Sequence, residues 1–318
     1  MYNVEKYIET CLDSILAQTF QDFEVIIVDN CSTDRSAEIV EQKYLADPRI
    51  NLVRRIENNG EFSSRNLGMD LARGKYLYFV DSDDAILENT LEIFFSAAEE
   101  YQSEIVYMDS FYFVRDPNFK YRGNIPIQKG IWGNPKPHML SKNLIERMQT
   151  DFLHGGTIVT PWIKIQRLDF LRKYQIQFPA VTRLPDVLFN LTELLFATNA
   201  RLIDACCYLY RPNPTSIMHE NVEKQIINAV ESMPAAFKYL EKYFSRVDLP
   251  RTLQLELEMH IMKRFFESHI IQSYVGAKNL EKIDDILQSF LTHCTDQNSY
   301  RVMINFLAMT MLQGANKK

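Results

Sequence analysis

The chain has 318 residues, 46% hydrophobic and 24% charged, enough for one large α/β domain with an appendage or for two domains. Its 41 acidic and 35 basic residues give a formal net charge of −6, which argues against a nucleic-acid binder with its basic face. No run of about 20 apolar residues offers a membrane span, and Met1-Tyr2-Asn3 lacks the basic-then-apolar layout of a signal peptide.

In chain order, Val4, Ile8, Cys11, Leu12, Ile15 and Leu16 repeat at helical spacing, with Asn3 placed to cap. Phe23 to Val28 (FEVIIV) is rich in β-branched residues and predicts a strand ending at Asp29-Asn30. Ser32-Thr33-Asp34 offers caps for a helix carrying Ala37, Ile39, Val40 and Tyr44, and Ile50 to Val53 reads as the next strand. A short helix from about Ser64 to Arg73 stops at Gly74. Residues 75–80 (KYLYFV) read as a buried strand running straight into Asp81-Ser82-Asp83-Asp84. A helix near Glu88 to Tyr101 and a strand at Glu104 to Met108 follow. Helices between successive strands imply crossovers, hence a largely parallel sheet covered on both faces.

Residues 110–160 are less regular, broken by Pro117, Pro126, Pro135 and Pro137. Trp162 to Tyr174 reads as a helix, Asp186 to Ala197 (DVLFNLTELLFA) as an apolar helix just after Pro185, and Leu202 to Tyr210 as a last strand. Beyond about residue 219 the pattern is helical to the end. Stretches such as Ile304 to Leu312 are too short to span a membrane and fit core or dimer contacts. Five cysteines (Cys11, Cys31, Cys206, Cys207, Cys294) show no metal-ligand spacing; an odd count with an adjacent pair fits reduced thiols in a cytoplasmic protein.

In open α/β sheets ligands bind beyond the carboxyl ends of the strands. Two strands here finish in polar clusters on that rim, at Asp29-Asn30 and at Asp81-Ser82-Asp83. Three aspartates in four positions repel one another, and a divalent cation relieves that repulsion by taking oxygen ligands from them. The alternative is that Asp83 or Asp84 caps a turn while the others are solvated, and Asp-x-Asp alone does not decide. An apolar strand followed by Asp-x-Asp also resembles the first motif of haloacid-dehalogenase-type phosphohydrolases, whose first Asp is a nucleophile. That motif continues into Thr or Val where this chain has Ala85, and no Gly-Asp-x-x-x-Asp follows downstream.

The surrounding residues weigh more. Tyr2-Asn3-Val4-Glu5-Lys6-Tyr7-Ile8, Gln18-Thr19-Phe20, Val28-Asp29-Asn30-Cys31-Ser32-Thr33-Asp34, Asn58-Asn59-Gly60, Ser64-Arg65-Asn66-Leu67-Gly68 and Phe79-Val80-Asp81-Ser82-Asp83-Asp84 stand in a familiar order. Together they resemble the family-2 inverting glycosyltransferases of the GT-A fold. The resemblance is dense over residues 2–110 and returns at Trp162-Ile163-Lys164, at Asp186-Val187-Leu188-Phe189-Asn190, and at Tyr210-Arg211 with Ser216.

It implies a Rossmann-like GT-A domain, mainly parallel with helices on both faces, plus an all-helical C-terminal subdomain. The expected division is 1–110 for the nucleotide-sugar half, 111–218 for the acceptor half and 219–318 for the helical subdomain. It further implies metal-dependent transfer from a nucleotide-diphosphate donor, expected to be a UDP-sugar, to a glycan or lipid-linked acceptor in bacterial surface polysaccharide synthesis. Mn²⁺ or Mg²⁺ would be held by Asp83, with Asp81 sharing the metal or reaching the ribose and Ser82 as spacer beside the donor. Asp29 and Asn30 would meet the base, Tyr2 would stack on it, Asn58 would line the donor, and Arg65 would approach base or diphosphate. Arg211 and Ser216 match a tail that closes over the donor, with His219 a further possible contact; Trp162 and Lys164 would line the acceptor side or belong to the core. Asp186 matches the base that deprotonates the acceptor, and as the opening residue of an apolar helix it also suits an N-cap. The helical tail is expected to dock on the inner membrane face or on a partner subunit.

Three departures stand out. Asn30 replaces a second Asp, Pro185 replaces Glu in a Glu-Asp pair, and the strand that precedes Tyr-Asn in relatives is missing. The last places the expected true start upstream of Met1. All three keep open a non-catalytic nucleotide-sugar binder.

Overall fold

The computed structural model describes residues 1–116, 119, 127–131, 138–154, 159–212 and 222–267. The order is α1 (Ile8–Leu16), β1 (Val25–Asp29), α2 (Ser36–Lys43), β2 (Ile50–Arg54), α3 (Glu61–Leu71), β3 (Tyr76–Tyr78), β4 (Ala85–Ile86), α4 (Thr90–Tyr101) and β5 (Ile105–Val114). Then come β6 (Ile127–Ile131), β7 (His138–Met139), and α5 (Leu144–Glu146), which runs into a π-helical stretch at Arg147–His154. A 3₁₀ turn at Pro161–Ile163 leads to β8 (Lys164–Arg167), α6 (Leu168–Tyr174), α7 (Pro185–Phe196), β9 (Ala200–Tyr210), α8 (Val222–Phe244) and α9 (Arg251–Glu267). The chain divides into two compact units, residues 1–178 with 196–212 and residues 179–195 with 222–267.

In the first unit β1 and β2 form a parallel pair, from Val25↔Ile50 to Asp29↔Arg54, joined by the α2 crossover. Val4, Ile8, Leu12, Ile27, Val40, Tyr44 and Ile50 pack into one cluster against it. A seven-stranded sheet runs β3-β8-β5-β9-β4, with β6 on β5 and β7 on β9. The fold is α/β as expected, but strand direction is mixed: among the described residues only β1–β2 and β5–β9 are parallel.

The cause is β8. It was expected to be part of a helix from Trp162, yet it inserts antiparallel between β3 and β5. Lys164, Ile165 and Gln166 are all buried, so neither face of this strand shows the alternation that marks a half-exposed one. The expected buried strand over 75–80 is also shorter. Only Tyr76–Tyr78 pair, at one end of the sheet order, and all three are half-buried. Nor does Asn3 cap α1, which begins after Tyr7. Its Oδ1 instead accepts the N–H groups of Thr33 (2.8 Å) and Asp34 (3.4 Å), pinning the loop that leaves β1.

The second unit is helical among its described residues. On α7, Leu188, Phe189, Leu191, Leu194 and Leu195 are buried. On α8 Met233, Ala236, Leu240 and Tyr243 recur at spacings of three and four, and on α9 Leu253, Leu257 and Ile261 recur every four residues. Pro185 occupies the first turn of α7, where its missing N–H costs nothing. Asp186 is therefore the second helical residue, not the N-cap; Leu184 precedes the helix with φ +52°, a strained conformation for a leucine. No described helix is long and apolar enough to cross a membrane. Residues 268–318, including Cys294 and the 304–312 stretch, lie outside the described residues.

Candidate functional site

The first unit brings both polar strand ends into view. At the end of β1, Asp29 is 1% exposed; its Oδ1 accepts the Ser32 N–H at 3.2 Å and its Oδ2 lies 3.7 Å from Arg54 Nε. Asn30 is buried as well, and its amide is engaged on both sides. Nδ2 donates to Asn58 Oδ1 (2.7 Å) and Oδ1 accepts the Asn59 N–H (3.3 Å). Asn58 Oδ1 also accepts the Gly60 N–H at 3.1 Å. Gly60 enters α3 with φ +82°, a region open to glycine and strained for other residues. This latch sets where α3 starts, and so where Arg65 points. Tyr2 is 47% exposed beside this end, and the Met1 amine and carbonyl bond Val28 O and Asn30 N–H, each at 2.9 Å.

Arg65 stands one turn into α3, 10% exposed. Its Nη2 donates to Asp81 Oδ1 at 2.7 Å and also contacts Glu61. The guanidinium lies over the rings of Phe62 and Phe178 (5.5 Å each) and Phe79 (6.0 Å). Phe178 is held there by Asn66, whose amide bonds both the N–H (2.8 Å) and the carbonyl (2.9 Å) of its backbone.

Asp81 to Asp84 form a turn closed by the Asp84 N–H on Asp81 O at 3.0 Å, with Ser82 and Asp83 at its corner. Asp84 points inward, 1% exposed. Its Oδ2 accepts the Tyr208 hydroxyl and its Oδ1 the Arg211 N–H, both at 2.7 Å. Burial pushes the Asp84 carboxyl well above the usual carboxylate range, and the charges of Asp83 and Asp81 push the same way. Cys11 Sγ donates to Asp81 O at 3.7 Å; burial raises that thiol far above its ordinary value, which leaves it inert.

Arg211, just past β9, is 2% exposed. Its guanidinium lies 4.8 Å over the Tyr7 ring and 4.4 Å over the Phe119 ring. Nε and Nη2 find no hydrogen-bond partner among the described residues. Burial lowers its pKa, while Asp84 and Asp83 oppose the shift. Trp162 is core, stacked 4.2 Å from Tyr208, and Lys164 is buried over Tyr107. Asp186 belongs to the second unit; Ser216 and His219 lie outside the described residues.

Among the described residues no group of three or more His, Cys, Asp or Glu could hold a metal unaided. Asp84 is committed to Tyr208 and Arg211, which leaves Asp81 and Asp83 of the cluster. Two carboxylates fit a Mg²⁺ or Mn²⁺ held jointly with substrate phosphates, not an all-protein cage. Tyr208, Glu61 and Phe178 were not singled out from the sequence. Nothing local marks Tyr208 and Phe178, because their partners lie 124 and 112 positions away; Glu61 stands four residues before Arg65, a spacing the sequence does show.

The model of the glycosyl transferase family 2 matches residues 1–175. The uncharacterized glycosyltransferase EpsJ of Bacillus subtilis (strain 168) is 32% identical over 234 residues, 71% of this chain and 65% of that protein. The poly(ribitol-phosphate) beta-N-acetylglucosaminyltransferase TarS of Staphylococcus aureus (strain MW2) is 31% identical over 216 residues, 66% of this chain and 34% of that one. The match thus spans less than two thirds of either relative. The crystal structure of residues 1–349 of S. aureus TarS has a TM-score of 0.66 at 24% identity, over 91% of this chain and 77% of that chain. Its complex with UDP-GlcNAc has a TM-score of 0.64 at 23% identity, over 91% and 79%. At such identities the likeness shows the GT-A fold alone. With more than half of its length matched by the family model, the chain belongs to glycosyl transferase family 2.

Proposed function

We propose that this chain transfers a sugar from a nucleotide-diphosphate donor, a UDP-sugar, to a glycan or lipid-linked acceptor in bacterial surface polysaccharide synthesis, with inversion at the anomeric carbon. The observation that carries this reading is Arg211, a buried guanidinium with two N–H groups lacking partners among the described residues, anchored to the turn that presents Ser82 and Asp83. A buried cation of that kind calls for an anion, and a diphosphate offers oxygens to both groups. The relatives support the donor class: TarS is named for N-acetylglucosaminyl transfer, and one of its structures holds UDP-GlcNAc.

In this reading Asp83 and Asp81 would hold Mn²⁺ or Mg²⁺ together with the donor's phosphates. When bound, the cation offsets charge developing on the leaving group. Arg65 fixes Asp81, Asp29 with Asn30 and Asn58 forms the base end, and Tyr2 stacks on the base. Asp186, in the first turn of α7, acts as general base. The acceptor oxygen bonds to the anomeric carbon as the bond to the diphosphate oxygen breaks, and the acceptor proton passes to Asp186. A hydrolysis and thermal-shift screen of UDP-, GDP- and dTDP-sugars, with and without Mn²⁺, tests the reading. A response to a UDP-sugar that needs metal is expected; no response to any donor would overturn it.

A further inference from the structure

The turn at Asp81–Asp84 is tied to β9 and the residue after it by three hydrogen bonds, two of them buried. The Tyr208 hydroxyl donates to Asp84 Oδ2 at 2.7 Å and accepts the Asp81 N–H at 3.2 Å, so one oxygen clips both ends of the turn. The other carboxylate oxygen, Asp84 Oδ1, accepts the Arg211 N–H at 2.7 Å and fixes the backbone from which that guanidinium projects. Tyr208 has little freedom of its own. It is fully buried, its ring stacks on Trp162 at 4.2 Å and 16°, and its strand continues the tie through the pairs Ala85↔Leu209 and Ile86↔Tyr208.

We infer that Asp84 and Tyr208 are positioning residues that hold the two phosphate-facing arms of the donor site, Asp81–Asp83 on one side and Arg211 on the other, in a single geometry. The inference rests on the donor reading above. Neither residue touches donor, since both Asp84 oxygens are taken and buried. A desolvated carboxylate is costly, and here it sets the distance between the cation-binding carboxylates and the orphan guanidinium. Without the Tyr208 hydroxyl, the Asp81 N–H and Asp84 Oδ2 lose their partners, and the turn is free to drift from Arg211.

Tyr208→Phe removes only that hydroxyl and keeps the ring on Trp162. Titration calorimetry of UDP into the full chain with Mn²⁺ should show affinity reduced about tenfold, with half-saturating Mn²⁺ raised in parallel. In turnover assays the donor KM should rise more than kcat falls. Asp84→Asn keeps an acceptor for the Arg211 N–H but turns a donor toward Tyr208, so it should reproduce the effect through one limb. Tyr78→Phe is the matched control, because the buried Tyr78 hydroxyl has no partner among the described residues; its UDP affinity should equal that of the parent. Unchanged affinity in Tyr208→Phe, or equal weakening in both tyrosine variants in step with Tm, overturns the positioning role. If the parent chain itself does not bind UDP with Mn²⁺, the donor reading falls first and this inference with it.

Discussion

The two polar strand ends are built in opposite ways. At the end of β1, Asn30, Asn58, Gly60 and Asn3 answer to partners within about the first sixty residues, 2 to 31 positions apart. At the turn after β3, Asp81 and Asp84 answer to Tyr208 and Arg211, 124 to 127 positions away. The first end can form while its own segment folds. The second has its own turn bond and Arg65, but is complete only once β9 has docked, at the greater loop-closure cost of a distant contact. A site divided in this way should respond to mutation in two distinct styles.

The largest expected effect lies outside both ends. Asp186→Asn should lower turnover about 10²–10⁴-fold while donor affinity stays within about twofold, because only proton removal is lost. Full activity in that variant would remove Asp186 from the mechanism. Next, Asp83→Asn should reduce kcat/KM by about 10²–10³-fold with little change in Tm, if the turn corner serves the leaving group as proposed. A loss of folding in its place would mean the turn is a structural element first.

At the other end, Asn30→Ala should act through stability as much as through binding. It strips Asn58 Oδ1 and the Asn59 N–H of one partner each, for a cost of about 1–2 kcal/mol in denaturant unfolding. If Tyr208→Phe and Asn30→Ala showed the same ratio of stability loss to affinity loss, the contrast between the two ends would fail.

The smallest effect is one of pH. The Arg49 side chain, then its backbone N–H, hold the Asp47 carboxyl down at about 2. A folded value below the unfolded value of about 4 means this pair stabilises above pH ~4 and that its contribution fades as pH falls toward 2. Arg49→Gln should return the Asp47 carboxyl toward its ordinary value in an NMR titration. It should leave UDP binding unchanged at neutral pH, since the pair flanks Ile50 and Val25, at the opposite end of β1 and β2 from Asp29.

Much of the β1 end was legible. Runs of β-branched and apolar residues found β1 and β2, and helical spacing with nearby caps found α1 and α2, to within a few residues, because residue type and spacing are local signals. The turn side was legible in composition but not in direction. Three adjacent aspartates announce a charge problem; they do not say which one turns inward. β8 escaped for a related reason, since Lys164 and Gln166 are as buried as Ile165 and erase the alternation. The expectation that Asn3 caps α1 fails, since an Asx side chain bonds whichever N–H groups the fold delivers, here those of Thr33 and Asp34 in the loop after β1.

From the sequence alone came the family resemblance, the α/β class, the helical tail as far as α9, and the residues that crowd two strand ends. Those depend on local periodicity and residue chemistry, which survive without knowledge of distant contacts. Only the tertiary structure decided the mixed strand directions, the enclosure of Arg65 by three phenyl rings, and which of the three aspartates turns inward. A buried carboxylate faces whichever donors lie within about 3 Å, and for Asp84 those donors come from strand β9 and the residue after it.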